Sequence, residues 1–194
     1  VSLYVSLLER TARGNPDQAE LIAKMKQAFT SVERTVGDLL QFAADREPKR
    51  QRVRLRDLLE EIATGIMPQL IAQQISVLVE ADVGLGVPAD RDMLRRAILN
   101  LVLNAVDAMP EGGVLTLRAE EHDEFVVIQV LDTGTGLSEE AVRRAFEPFF
   151  TDKKGGTGLG LAIVERVAEV HNGRVVAANR DEGGACFSLC LPKS

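Results

Sequence analysis

The apolar residues near the start of the chain recur in alternating steps of three and four residues. The pattern is kept over three heptads by Ile22, Met25, Phe29, Val32, Val36, Leu39 and Ala43. Such steps place all of these side chains along one side of an α-helix, as in a coiled-coil seam. A strand cannot use them, because it places every second residue on the same face. The sequence therefore predicts a helix with a narrow apolar seam that another surface must cover.

A tight turn precedes this helix. Gly14 is suited to end an earlier helix, Asn15 to cap the next one, and Pro16 to occupy its first turn. We therefore expect a helical hairpin over residues 1–46. A second copy of the hairpin can cover the seam and give a homodimeric four-helix bundle, or the rest of the same chain can cover it. Self-association through residues 1–46 is the simpler of these two solutions.

Residues 45–53 are rich in charge and include Pro48 but few apolar side chains. This composition is typical of a linker between domains, which we place at residues 47–54. Basic side chains without interleaved aromatic residues are concentrated here: Lys49, Arg50, Arg52, Arg54 and Arg56. We interpret them as the solvated surface of the linker. The net charge of the chain is −6, so no nucleic-acid partner is expected.

The pattern changes beyond the linker to a mixture of helices and strands. Helical periodicity is found at about 55–73, 90–109, 138–146 and 159–171, and strand patterns near 75–79, 114–119, 125–131, 174–178 and 186–191. Helices and strands do not alternate strictly, which argues against a doubly wound parallel sheet. We predict an α+β domain at residues 55–194, in which helices cover one face of a mostly antiparallel mixed sheet.

The sequence also predicts the surroundings of the protein. No apolar run approaches the roughly 20 residues that a membrane-spanning helix needs. A basic, apolar leader with a cleavage site is also not found, so we expect these residues to act in the cytoplasm without spanning a membrane. Cys186 and Cys190 lie four residues apart in a predicted strand, roughly 13 Å from each other. That separation exceeds the reach of a disulfide, so two reduced thiols are expected.

Three polar residues interrupt a predicted helix that has apolar residues almost all round it, at Leu94, Ile98, Leu99, Leu101, Val102 and Val106. Asn100, Asn104 and Asp107 are spaced by four and three residues, which places them on one stripe of the helix. Buried amides and carboxylates need partners, so the stripe indicates either a lined pocket or a structural hydrogen-bond network. An asparagine oxygen, together with phosphate oxygens and waters, would suit Mg²⁺.

Two glycine-rich segments follow. Asp132 comes directly after an apolar strand and is followed by Gly134 and Gly136, which either allow close approach to a ligand or form an ordinary turn. Residues 155–161 open an apolar helix whose first N–H groups, unshielded by side chains, can bind an anion. No Lys-Ser or Lys-Thr follows the last glycine, so this is not a P-loop. Between the two segments, residues 146–154 carry three phenylalanines, as expected for a mobile lid or for core packing.

In this order, the four segments resemble the asparagine, first glycine, phenylalanine and second glycine boxes of sensor histidine kinases. These kinases belong to a wider family that includes gyrase, Hsp90 and MutL. The boxes correspond to residues 100–107, 132–136, 146–150 and 156–160, and the resemblance covers about residues 55–192. Four ordered motifs are far more specific than any single one. Residues 104–110 and 147–151 are most similar to nitrogen-regulation-type kinases.

The resemblance implies a Bergerat-type fold that binds ATP and Mg²⁺. It also implies transfer of the γ-phosphate to a histidine and then to the receiver domain of a response regulator. Asn104 would coordinate Mg²⁺, Asn100 would lie beside the phosphates, and Asp132 would accept a hydrogen bond from the adenine amine. The resemblance further implies that the nucleotide is contacted by Asp107, Gly134, Gly136, Phe149, Phe150, Thr157, Gly158, Leu159 and Gly160.

Two positions depart from relatives in this family. Gyrase-like members have a glutamate that activates water where this chain has Asn100, and an amide cannot act as that base. The difference favours phosphotransfer over hydrolysis. Many kinases have a basic residue where this chain has Asp107, and Lys153 in the predicted lid is the candidate to supply that charge. The candidate catalytic residues are therefore Asn100, Asn104 and Lys153.

The phosphoacceptor histidine of such kinases is not found in the sequence. Its two histidines are His122, in a predicted hairpin turn, and His171, at the predicted end of a helix. We interpret them as turn and C-cap residues and expect the acceptor to lie shortly upstream, so that this chain does not phosphorylate itself. The competing interpretations are a serine kinase or mechanical ATPase of the same family, and a nucleotide-binding scaffold without kinase activity.

Overall fold

The structure, a computed structural model, describes residues 47–153 and 156–194 together with positions 18, 21, 22, 24, 25, 29 and 37. The chain divides into two compact units, Val1–Ala44 and Asp45–Ser194. All seven described positions of the first unit are helical. The turn at residues 14–16 and most of the predicted hairpin lie outside the described residues, so its self-association stays a prediction.

The second unit alternates irregularly between helices and strands. Its described helices are α1 (Leu55–Ala72), α2 (Arg91–Asp107), α3 (Glu139–Arg144) and α4 (Gly160–Val170). Its described strands are β1 (Gln51–Arg54), β2 (Ile75–Ala81), β3 (Gly86–Ala89), β4 (Gly113–Glu121), β5 (Phe125–Leu131), β6 (Arg174–Asn179) and β7 (Ala185–Pro192). The helices and the five longer strands match the sequence pattern within a few residues.

Five strands form one mixed sheet in the order β2-β4-β5-β7-β6. The pair β2 and β4 is parallel, and the other three pairs are antiparallel. Buried and more exposed residues alternate along β4 and β5, so one face of the sheet is covered. The helices α1, α2 and α4 contact β2, β5 and β6 respectively. The predicted α+β sandwich is therefore confirmed for this unit.

Helix α2 is the central element beneath the sheet. Its fully buried apolar side chains include Leu94, Ile98, Leu101, Val102 and Val106. Burial of each such side chain contributes about 1.5–3 kcal/mol, which fixes the orientation of the helix. The polar stripe of α2 is thereby held in one direction relative to the sheet.

Part of the predicted linker is instead a strand of the second unit. β1 pairs with β3 in a separate antiparallel ribbon, with Val53 buried opposite Val87. The assignment of residues 51–54 to a linker was therefore wrong. One buried residue in four gives no clear strand pattern, and β3 contains Pro88, so neither strand was found from the sequence.

The basic residues of this segment are mostly exposed, as expected, but several of them also bind the second unit. Three of their guanidinium groups donate to backbone carbonyls of the second unit: Arg50 to Val170 at 3.0 Å, Arg52 to Gly84 at 3.4 Å and Arg56 to Ala81 at 3.1 Å. The carbonyl oxygens accept these bonds at the end of α4, in the turn before β3 and at the end of β2. The run of arginines anchors the segment to the unit that follows it.

His171 ends α4 and joins it to the start of α2. Its Nε2 accepts a hydrogen bond from the backbone N–H of Asp90 at 2.9 Å, and its Nδ1 lies 2.7 Å from the carbonyl of Val167. The ring is therefore neutral, with its proton on Nδ1. Burial lowers the pKa of His171 more than its carbonyl contact raises it. The predicted C-cap role is confirmed, and His122 lies in the turn between β4 and β5 as expected.

The buried neutral ring predicts a specific loss of stability in acid. Above the unfolded pKa of about 6.5, both states are neutral. As the pH falls below this value, the histidine of the unfolded state becomes protonated while buried His171 in the folded state stays neutral. The free energy of unfolding therefore decreases, by at most about 1.4 kcal/mol per pH unit. We expect His171→Gln to lose less stability than the parent between pH 7.5 and 5.5 in urea titrations.

The matched control is His122→Gln, which replaces an exposed histidine in the same unit. The free energy of unfolding of this variant should vary with pH as that of the parent chain does. If His122→Gln flattens the dependence and His171→Gln does not, the assignment of a buried neutral His171 is contradicted.

Candidate nucleotide-binding site

The end of β5 holds a buried carboxylate with one oxygen in use. Oδ1 of Asp132 accepts the backbone N–H groups of Gly134 at 2.8 Å and Ala185 at 3.2 Å. Oδ2 has no hydrogen-bond partner among the described residues, although the side chain is only 1% exposed. A buried charged oxygen is costly to leave unpaired. Asp132 is therefore an acceptor fixed in direction and in need of a donor such as an amine.

The loop after Asp132 packs directly against the end of α2. A Cβ on Gly134 would lie 2.4 Å from the carbonyl oxygen of Ala108, and the same oxygen accepts the N–H of Thr135 at 3.2 Å. Gly136 has φ +72°, a conformation that other residues rarely adopt. Both glycines are therefore required by the path of the loop.

Two residues that the sequence did not indicate hold this loop in place. Asn179, at the end of β6, accepts the N–H of Leu137 at 2.7 Å and donates to its carbonyl at 2.8 Å. The next residue, Arg180, donates to the carbonyl of Asp132 at 2.7 Å. No spacing in the sequence connects residues 179 and 180 with residues 132–137. The antiparallel order of β5, β7 and β6 brings them together.

The polar stripe of α2 points toward the segments that precede α4. Asn100 donates through Nδ2 to the carbonyl of Gly160 at 3.1 Å. One turn later, Asn104 and Asp107 both contact the ammonium of Lys153. The stripe therefore joins the helix to the predicted lid and to the second glycine segment, and the structure brings these five residues together.

The three phenylalanines between the glycine segments have different surroundings. Phe146 packs edge-on against the core residue Phe187, with ring centroids 6.4 Å apart. The ring of Phe150 lies under the guanidinium of Arg144 at 4.7 Å. Phe149 is 66% exposed and has φ +67°. The sequence left open whether these rings anchor a lid or pack in the core, and the structure assigns core packing to Phe146.

The backbone of Phe149 lies against the second glycine segment. Its N–H donates to the carbonyl of Gly158 at 3.0 Å. A Cβ on Gly158 would lie 2.4 Å from the carbonyl carbon of Phe149, and Gly158 has φ +66°. No side chain larger than hydrogen fits at residue 158, so Gly158 sets how closely the predicted lid approaches the start of α4.

The first turn of α4 has the properties of an anion site. Its N-cap, Leu159, provides no side-chain hydrogen bond to the helix, and its own N–H donates to Oγ1 of Thr157 at 3.3 Å. The first N–H groups of a helix have no partner within it, and the helix dipole adds positive charge at this end. Phosphate oxygens can accept from these groups.

Comparison with known proteins identifies the family. Residues 89–194 match the family described as histidine kinase-, DNA gyrase B-, and HSP90-like ATPase. The chain belongs to this ATPase family. This confirms the resemblance that the four boxes indicated, whereas the nitrogen-regulation-type subgroup stays a prediction.

Curated relatives of this ATPase domain are sensor histidine kinases. The signal transduction histidine-protein kinase AtoS of Escherichia coli is 31% identical over 97% of this chain and 31% of its own length. The sensor histidine kinase ZraS of Salmonella typhi is 32% identical over 95% of this chain and 40% of its own length. The chain thus spans 31–40% of the length of these relatives.

Solved structures with the same fold include two histidine kinases. The nucleotide-free catalytic domain of ThkA has a TM-score of 0.70 and 31% identity over 75% of this chain and 96% of that one. Full-length ShkA in complex with AMPPNP has a TM-score of 0.82 and 30% identity over 97% of this chain and 41% of that one. None of the helices described in the present structure combines the length and apolar composition that crossing a bilayer requires.

The contacts of Asn179 predict an effect on nucleotide binding. Asn179→Ala removes both hydrogen bonds to Leu137, each of which contributes about 0.5–1.5 kcal/mol, and should weaken ATP binding about tenfold in calorimetric titrations. Asn179→Asp keeps the acceptor but loses the donor, so its affinity should be intermediate. Unchanged ATP affinity in Asn179→Ala would show that the loop does not depend on this side chain.

Proposed function

We propose that this chain is the ATP-binding catalytic part of a two-component sensor histidine kinase. It would transfer the γ-phosphate of ATP to a histidine and, from there, pass it to an aspartate in the receiver domain of a response regulator. The family, the names of the relatives and the arrangement of the four boxes support this proposal. In the same proposal, residues 1–46 are part of a dimerising hairpin and residues 55–194 are the catalytic domain.

The observation that carries the proposal is the unpaired Oδ2 of Asp132. The exocyclic amine of adenine is a donor that can satisfy this oxygen, whereas guanine presents a carbonyl at the corresponding position and would be repelled. The two backbone N–H groups that bind Oδ1 keep the carboxylate in one orientation, with Oδ2 as the oxygen left without a donor. The site is therefore suited to discriminate adenine from guanine.

The phosphates would lie between α2 and the start of α4. The first N–H groups of α4 would donate to the phosphate oxygens, Asn100 would lie beside the phosphates, and Asn104 would offer its Oδ1 to the metal. Mg²⁺, when bound, would neutralise charge on the phosphate oxygens. An amide oxygen suits this hard cation, which usually keeps several waters and binds few protein ligands. Gly136, Gly158 and Gly160 would leave room for the nucleotide to approach the backbone.

The chain offers no suitable phosphoacceptor among its own histidines. His171 is 2% exposed and both of its ring nitrogens are in contact with the backbone. His122 lies in the turn between β4 and β5, close to Glu120. We therefore propose that the acceptor histidine is not among these 194 residues. Dimerisation and a receiver-domain partner belong to the same proposal.

Asp132→Asn tests the base specificity. The backbone bonds require an oxygen at the Oδ1 position, so the new NH₂ group replaces Oδ2 and faces the adenine amine as a second donor. ATP affinity should fall about 100-fold, and the preference for ATP over GTP should shrink or reverse. Asp181→Asn, in the exposed turn between β6 and β7, is the matched control. Equal losses of ATP and GTP binding in Asp132→Asn would contradict the assigned role.

Phosphotransfer is tested in a chain extended upstream to include an acceptor histidine. Incubation with γ-labelled ATP and Mg²⁺ should give an acid-labile, base-stable label on that histidine. Asn104→Ala should lower the label at least about 100-fold, because the metal loses its protein ligand, and Asn104→Asp should retain part of it. Absence of label despite measured ATP binding would favour a nucleotide-binding scaffold over a kinase.

A further inference from the structure

The ammonium group of Lys153 is a bound cation rather than a free surface charge. Nζ lies 2.5 Å from Oδ1 of Asn104, 3.3 Å from the carbonyl oxygen of the same residue and 3.4 Å from Oδ2 of Asp107. An ammonium group has three donor hydrogens, and these three oxygens can accept all of them. The side chain of Lys153 is 38% exposed, so it is partly buried against the end of α2.

The last turn of α2 provides a reason for a cation at this point. The C-terminal end of a helix carries partial negative charge on its unpaired carbonyls. The last turn of α2 contains no basic residue of its own, and Asp107 adds a full negative charge there. Lys153, which lies 46 residues later in the sequence, supplies the compensating positive charge.

The oxygen that Lys153 contacts most closely is the one that the proposed function assigns to the metal. The amide of Asn104 has a single oxygen, and its Nδ2 is a donor that cannot bind a cation. An ammonium and a divalent ion at contact distance from the same oxygen would repel each other strongly, because the site is partly shielded from water. Only one of them can use Oδ1 at a time.

We propose, on the basis of the proposed function, that Lys153 is a resident counter-cation that excludes free divalent metal from Asn104. Its ammonium gives up Oδ1 when a nucleoside triphosphate offers it phosphate oxygens as new acceptors. The negative charge of the triphosphate then accommodates both cations. Metal binding is thereby coupled to nucleotide binding by a positioning residue, and metal alone does not occupy the site.

Mn²⁺ titration of the chain without added nucleotide tests this directly, with binding followed by water-proton relaxation. The parent chain should show weak binding. Lys153→Gln removes the competing charge and should bind Mn²⁺ at least about fivefold more tightly through Asn104 and Asp107. Lys153→Arg keeps the charge and should keep the exclusion. The matched control, Lys49→Gln, replaces an exposed lysine and should behave as the parent chain.

Two further measurements identify the residues that bind Mn²⁺ in Lys153→Gln. Asp107→Asn combined with Lys153→Gln should lose the gained affinity, since it removes the carboxylate that contacts the ammonium. In Lys153→Gln, Mn²⁺ should broaden the side-chain amide resonance of Asn104. The ratio of Mn²⁺ affinities with and without an ATP analogue should shrink relative to the parent, because the two ligands are less strongly coupled.

The inference is overturned if Lys153→Gln binds Mn²⁺ no more tightly than the parent chain, or if the gained affinity persists in the double variant. Thermal unfolding of each variant checks that the comparison is made between folded proteins. Failure of the proposed function would be seen separately, as absent ATP binding by the parent chain. The titration without nucleotide does not depend on that result.

Discussion

The carboxylate of Asp132 holds one position because two backbone N–H groups from different segments bind the same oxygen. Gly134 belongs to its own loop, whereas Ala185 belongs to β7. The surrounding chain must approach closely to make these bonds. A Cβ on Gly184 would lie 2.1 Å from the carbonyl of Asp132, and one on Gly134 would lie 2.4 Å from Ala108. The fixed position of the carboxylate thus depends on close packing that tolerates only glycine at residues 134 and 184.

Helix α2 connects this carboxylate to the rest of the site. Its C-cap contacts the loop after Asp132, its last turn binds Lys153, and the turn before that binds the backbone of Gly160 through Asn100. The apolar faces of the helix are buried beneath the sheet, so these contacts share one rigid support. At the other end of α2, Oδ2 of Asp90 accepts the N–H of Lys49, and the N–H of Asp90 donates to His171. The helix is therefore held at both ends.

The sequence indicated the candidate site residues more readily than the residues that hold the site together. Asn100, Asn104 and Asp132 stand out because a polar residue in an apolar helix or at a strand end breaks a regular pattern. Asn179 and Arg180 follow an ordinary short strand, and only the pairing of β6 with β7 places them beside the loop. No residue pattern connected Asn179 with Leu137 or Arg180 with Asp132, which lie 42 and 48 residues apart.

The missed strands have a related explanation. β1 and β3 are four residues each and pair with one another as a ribbon, so each is too short to show a clear strand pattern in the sequence. The carbonyl partners of Arg50, Arg52 and Arg56 could not be predicted either, because the sequence shows the positive charge but not the oxygens that accept from it. For Lys153, in the predicted lid, the sequence suggested a partner, but not the one that the structure shows. Its type suggested a phosphate contact, and the structure shows the oxygens of Asn104 and Asp107 as its partners.

The central claim is that the free oxygen of Asp132 selects an adenine nucleotide whose phosphates reach the start of α4. The most direct test is a crystal structure of this chain with a non-hydrolysable ATP analogue and Mg²⁺. The adenine amine is expected within about 3 Å of Oδ2 of Asp132, with phosphate oxygens at the first N–H groups of α4. A bound nucleotide that leaves Oδ2 of Asp132 without a donor would contradict it.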